Sequence, residues 1–356
     1  VSRDSIGFVA HTSLGRHSQP FPRPHIEAFE NPFRIQMAKA YLEERGILGG
    51  LQRIQAQRGS FEYATSVHSH YLIESVKLMS ELGSGNLGES AFASPDLQRS
   101  ALQAIGASIT AANVVANRKC THSFALTRPP GHHASTSMAM GLCYFNNVAI
   151  AVKHVMKNHS INRVTILDFD NHFGNGTCEI FYTNPDVQYI SLHEYDYENF
   201  GMGHFEEVGY GDAEGTNVNI PFVDLTPDVS YQTAFNDVVE PAIKAFKPEL
   251  IAVSAGYDPH YADPVGNMNV DSSTFWRIGK KIRSLCESIR CGSFWILEGG
   301  YNPMTLGLCI EASIIGLAGE SLPKLKDQIP REIDDIIVES NEEVVNKVLE
   351  IISRYW

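Results

Sequence analysis

The sequence predicts an α/β protein, with a single open and mostly parallel β-sheet flanked by helices on both faces. Two observations carry this. Short apolar runs of strand length alternate with stretches of helical periodicity through most of the chain. No internal repeat, low-complexity tract or interior linker breaks that alternation. The chain has 356 residues, 43% of them hydrophobic, enough to bury a large core. Length alone allows two domains, but an α/β domain also runs this long as one, so residues 1–356 are read as a single domain.

Residues 1–35 are rich in Pro, His and Phe and are expected to be irregular, since Pro20, Pro22 and Pro24 prevent regular helix there. Helical patterns follow at 36–45, 66–82 and 97–116. The second is expected to start after Thr65-Ser66. The third is expected to start at Ser94-Pro95-Asp96, with Ser94 as cap and Pro95 in the first helical position. Buried parallel strands are then expected at 123–127, 163–167, 187–192, 250–253 and 293–297. Helices are expected near 145–157, 229–246, 273–289 and 303–318. A last helix over 331–353, after Pro330, closes the chain and packs on the outside.

A net charge of −13 and the lack of a basic face argue against a nucleic-acid partner. Such a surface steers cations such as polyamines or Lys-rich tails, although it serves solubility equally well. The six cysteines form no CxxC pair and read as reduced thiols. No apolar stretch is long enough to span a membrane, and Val1-Ser-Arg-Asp lacks the pattern of a signal peptide. The expectation is a soluble, cytoplasmic protein.

Four of the apolar runs end in chemically capable residues. The first leads into Arg128-Pro-Pro-Gly-His132-His133, the second into Asp168-Phe-Asp170-Asn-His172, the fourth into Ser254-Ala-Gly-Tyr-Asp258 and the fifth into Glu298-Gly-Gly-Tyr301. Open α/β sheets hold their sites at the carboxyl ends of the strands, so these segments converge on one crevice. Asp170 and His172 project to one side of extended chain, being two residues apart. With Asp258 they make three ligands and an open position, the pattern of catalytic zinc. Two carboxylates and one imidazole also suit Fe(II), Co(II) or Mn(II). Alone, such a motif is equally a strand end that binds nothing.

His132 and His133 are adjacent imidazoles, and like charges push their pKa values apart, which suits a division between base and acid. Asp168 is the expected partner of His132 and Asn175 that of His133. An isolated His-His pair is otherwise a surface feature. Tyr301, after two glycines, is a candidate donor to an oxyanion, or else a packed core tyrosine.

Taken together, Arg128-Pro-Pro-Gly-His-His-Ala, Gly141-Leu-Cys-Tyr-Phe-Asn-Asn, Leu167-Asp-Phe-Asp-Asn-His-Phe-Gly-Asn-Gly-Thr, Ser191-Leu-His, Ser254-Ala-Gly-Tyr-Asp-Pro-His, Asp263-Pro-Val-Gly and Glu298-Gly-Gly-Tyr resemble the arginase/deacetylase superfamily, within its histone deacetylase and acetylpolyamine amidohydrolase group. A fainter echo runs from His25-Ile-Glu27 to Pro32-Phe-Arg34, so the resemblance covers roughly residues 25–320. It implies the arginase/deacetylase fold and zinc on Asp170, His172 and Asp258. It makes His132 and His133 the tandem catalytic histidines and Tyr301 the carbonyl-polarising residue. It further implies a structural potassium ion near Asp168, with Asp170, His172, Ser191 and Leu192, and a second around Phe181, Asn184 and Val187.

The departures are specific. Phe173 stands where the family commonly has a second histidine, and Asn175 follows the class II pattern. Leu142, beside Gly141, replaces a common aromatic wall of the acyl-lysine tunnel, whose opposite wall falls near Phe200-Gly201. Ser90 aligns with a rim residue that accepts the substrate amide hydrogen, and Val265 is a further candidate substrate-binding residue. The implied reaction removes an acetyl group from an amine by metal-activated water, with acetyl-lysine in proteins and acetylpolyamine both open as substrates. A homodimer that narrows the entrance, as in the polyamine enzymes, is open too. The competing readings are an arginase-like dimetal hydrolase and a deacetylase-like acyl-binding protein without turnover.

Overall fold

The computed structural model describes residues 3–11, 15–19, 26–198 and 201–356. Strands are β1 (Ile6–Ala10), β2 (Gln52–Gln55), β3 (Gly85–Gly88), β4 (Ala91–Ala93), β5 (His122–Ala125), β6 (Val164–Asp168), β7 (Val187–Glu194), β8 (Asn217–Phe222), β9 (Leu250–Ala255) and β10 (Gly292–Leu297). Helices are α1 (Pro32–Glu44), α2 (Phe61–Ala64), α3 (His70–Leu82), α4 (Leu97–Ala116), α5 (Asn147–Asn158), α6 (Asn175–Phe181), α7 (Asp228–Ala234), α8 (Glu240–Phe246), α9 (Ser272–Ile289), α10 (Leu306–Ala318) and α11 (Asp335–Ile352). A π-helical turn at Phe235–Val239 joins α7 to α8.

Eight strands form one open parallel sheet in the order β2-β1-β5-β10-β9-β6-β7-β8. Strands β5, β6 and β9 are buried at every position, because helices cover both sides, and such strands read as continuous apolar runs. Successive side chains point to opposite faces. Leu167, Val253 and Trp295 therefore pack with α1, α9, α10 and α11, while Ile166, Ala252 and Phe294 pack with α3, α4 and α5. The register pairs Ile296 with Ala125, Leu297 with Ala255, and Asp168 with both Ser254 and Ser191. The carboxyl ends of β5, β10, β9 and β6, neighbours at the centre of the sheet, are thus level, and all four motif-bearing loops leave from one patch.

Several expected boundaries are corrected. Residues 1–35 are not irregular throughout, since Ile6–Ala10 pairs in parallel with both β2 and β5 and Ile6, Phe8 and Val9 are buried. The 66–82 helix starts only at His70, capped by Ser69, whose hydroxyl accepts from Leu72 N. Asp96, not Ser94, holds the cap position of α4, so Pro95 lies outside the helix. The last helix starts at Asp335, capped by Asp334, and packs on edge strand β8. Among the described residues, no helix is long and apolar enough to cross a membrane.

Candidate active site

The loop after β6 carries Asp170 and His172, and the loop after β9 carries Asp258. One donor atom from each lies within 4.8 Å of the others. His172 Nδ1 is 3.2 Å from Asp170 Oδ1 and 3.0 Å from Asp258 Oδ2, so imidazole and carboxylates face a common point. Both carboxylates are also oriented by backbone: Gly299 N donates to Asp170 Oδ2 at 2.8 Å and Asn171 N to Asp258 Oδ1 at 2.9 Å. Gly299 is needed here because a β-carbon would overlap the two carboxylates. The two buried carboxylates and the His172 imidazole form a donor set that fits a divalent ion; among the described residues neither carboxylate pairs with Lys or Arg, and His132 Nε2 lies 3.7 Å from Asp170 Oδ1.

The loop after β5 holds His132 and His133 with ring centroids 4.1 Å apart, and the His133 ring lies 6.0 Å from that of His172. The loop is braced from several sides. Glu298 Oε2 accepts from Gly131 N at 2.6 Å and His132 N at 3.2 Å. Asn146, the cap of α5, donates to Ala134 O, and Asn147 donates to Pro129 O. His132 Nδ1 meets Asp168 Oδ2 at 3.1 Å, and His133 Nδ1 meets Asn175 Oδ1 at 2.7 Å, with Asn175 opening α6.

The two imidazoles have opposite tendencies. Burial alone would lower His132, but the charges of Asp170 and Asp168 and the bond to Asp168 outweigh it and raise its pKa to about 10. His133 is pushed well below 6.5, first by burial and then by the charge of His132. The surroundings thus push two touching imidazoles in opposite directions.

Tyr301, which follows β10 through Gly299-Gly300, is 5% exposed, and no described residue hydrogen-bonds its hydroxyl. Burial raises the phenol well above 10, so it remains a donor at neutral pH. Gly300 takes φ +104°, which favours glycine and turns the chain toward the crevice.

The remaining expected residues divide. Asp168 and Ser191 are register partners on β6 and β7, with Leu192 next in line. Asp168 Oδ2 also accepts from Tyr189 at 3.1 Å. Phe181, Asn184 and Val187 share the turn between α6 and β7, where Asn184 N donates to Phe181 O and Val187 N to Asn184 O. Gly141 (φ +53°) packs against the His133 ring, and Leu142 N donates to Ser90 O, which brings the β3–β4 hairpin to the site. The Ser90 hydroxyl donates to Glu27 Oε1 at 3.0 Å. Val265 sits on the loop after β9, tied to Asp263. Phe200 and His25 lie outside the described residues.

Three contributors were not singled out from sequence. Buried Arg34, quoted there only as part of the N-terminal echo, lies over the Tyr301 ring at 4.8 Å and donates to Gly300 O and Glu298 O. Buried Glu30 bridges Arg128 and Arg34. Asp263, quoted only within its motif, accepts from the Tyr301 backbone. The signal for Arg34 was its place in that echo; Glu30 carried none.

Residues 28–317 match the histone deacetylase domain family, and the chain belongs to it. It is 32% identical over 362 residues to a probable deacetylase of Archaeoglobus fulgidus, covering 98% of each chain. It is 36% identical over 332 residues to human histone deacetylase 9, covering 84% of this chain and 32% of that protein. The chain spans about a third to a half of the length of several curated relatives. Among solved structures, the HDA15 HD domain superposes with a TM-score of 0.88 at 30% identity, covering 100% of this chain and 96% of that one.

Proposed function

We propose that the chain hydrolyses the acetyl amide of an acetylated amine, with zinc held by Asp170, His172 and Asp258. When bound, the ion supplies Lewis acidity toward the acyl carbonyl and the attacking water. The protein's residues do the rest. Neutral His133, its Nδ1 fixed by Asn175, takes the proton from water through Nε2 and later delivers it to the leaving amine, one positioned group serving as base and then acid. His132, favoured in its cationic form by the charges of Asp170 and Asp168, contributes positive charge. The hydroxyl of Tyr301, which no described residue engages, donates to the developing oxyanion, an interaction worth most in a water-excluded site. Two structural potassium ions, one beside Asp168 and Ser191 and one in the turn after α6, complete the proposal.

The observation that carries this reading is the convergence of two touching imidazoles, each with its Nδ1 held by a polar partner, on the Asp170–His172–Asp258 group, with the His133 ring 6.0 Å from that of His172. The dimetal alternative is disfavoured because His260, two residues past Asp258, is engaged elsewhere: its Nε2 meets Asp327 Oδ2 at 3.2 Å and its Nδ1 accepts from Ala262 N. The test is acetate release by zinc-loaded protein from N-acetylated polyamines and acetyl-lysine peptides in parallel. Release from either class supports the reading, and the preferred class assigns the substrate. Silence on both with metal bound overturns it in favour of an acyl-binding protein.

A further inference from the structure

Tyr301 lies in irregular backbone directly after two glycines, so neither a helix nor a strand sets its direction. Its placement must come from tertiary contacts. On one side, Arg34 Nε donates to Gly300 O at 2.5 Å. On the other, a single carboxylate oxygen, Asp263 Oδ2, accepts from Tyr301 N at 2.6 Å and from Asn302 N at 3.1 Å. Asn302 Nδ2 completes the seam by donating to Ala262 O at 2.7 Å. The second oxygen of Asp263 serves its own loop, accepting from Val265 N at 3.0 Å and Gly266 N at 3.5 Å. A carboxylate that merely capped its own turn would use only the second set. Here one oxygen organises the loop that carries Val265 while the other grips the backbone of the tyrosine, and no described cation competes for either.

We propose that Asp263 is the positioning residue of Tyr301. Its carboxylate locks the loop after β10 to the loop after β9, and so fixes the aim of the Tyr301 hydroxyl relative to the metal-binding Asp258 on that second loop. The same clamp ties the candidate substrate-binding residue Val265 to the aim of the tyrosine. The proposal rests on the reading of Tyr301 as the oxyanion donor. Displacing a reacting or stabilising group by about 1 Å costs on the order of 10²-fold in rate, so the clamp has room to matter.

The experiment is a double-mutant cycle on the full, zinc-loaded chain: Asp263→Ala and Tyr301→Phe, singly and together, with kcat, KM, metal content and Tm measured for each. Positioning predicts that Asp263→Ala lowers kcat by about 10- to 100-fold with KM and metal content nearly unchanged. In the Tyr301→Phe background the same change should cost less than about 3-fold, since the group it aims is gone. An equal loss in both backgrounds, or no loss in the first, overturns the proposal. Should Asp263→Ala not fold, Asp263→Asn keeps the volume and leaves one acceptor, and the same non-additivity is required of it. Full activity in Tyr301→Phe alone would instead refute the reading of Tyr301, whatever Asp263 does.

Discussion

The two histidines contain their own control experiment. His132, raised to about 10 by the charge of Asp170 and then by Asp168, has a carboxylate on Nδ1; His133, pushed well below 6.5 by burial and the charge of His132, has an amide there. Asn175→Asp gives the second histidine the partner of the first. The Nδ1–Oδ1 distance is 2.7 Å, which puts the new charge about 4 Å from the ring centre. At an effective dielectric near 20 that attraction is about 4 kcal/mol, or a ceiling of ~3 pH units. Burying the new carboxylate returns part of this, leaving an expected rise of about 1–2 units in the His133 pKa. The sign follows from the role. A base works in its neutral form, so activity disappears as pH falls through its pKa, and a raised pKa moves that acid limb upward. The assay is kcat/KM against pH for both proteins, which reports the free enzyme. An acid limb that stays in place, or moves down, would refute His133 as the base.

Other changes test other parts. Tyr301→Phe should lower kcat by about 10²–10³ with metal content intact, the usual cost of losing one oxyanion donor, as measured by initial rates and metal analysis. Gly299→Ala drives a β-carbon into the carboxylates of Asp170 and Asp258 and should weaken zinc binding by about 10-fold or more in a competition titration, whereas the same change at exposed Gly46 should not. Glu30→Gln leaves Arg128 buried without its counter-charge and should cost about 3–5 kcal/mol, or about 4–7 °C in Tm for a chain of this length. Arg128 holds the Glu30 carboxyl below 4.5 against the upward push of burial, so its contribution is present above that pH and lost as pH falls through the lower folded value. The Tm gap between Glu30→Gln and the parent should therefore narrow in acid.

How much was legible in the sequence depends on where each residue's partners lie. The central strands β5, β6, β9 and β10 were legible because burial on both faces leaves short, mostly apolar runs of strand length, and because each run ends in its own polar motif. The partners Asp168 and Asn175 were legible because an imidazole with work to do needs an orienting group. Strand β8 was not, because Asn217, Asn219 and Pro221 interrupt its pattern; it is an edge strand, where proline is tolerated, and both asparagines bond to carbonyls of the preceding loop. Strand β2 was missed because it is a largely exposed edge. Buried relationships across long separations, such as Glu30 with Arg128 or Asp263 with Tyr301, follow no period, and only the folded loops bring them together.

If one metal ion on Asp170, His172 and Asp258 supports amide hydrolysis, acetate release must depend on zinc titrated into metal-stripped protein. Release should be absent without metal, rise to saturation at one equivalent per chain, and show no rise in Asp258→Asn. Undiminished release from the stripped protein, or saturation only at two equivalents, would contradict it.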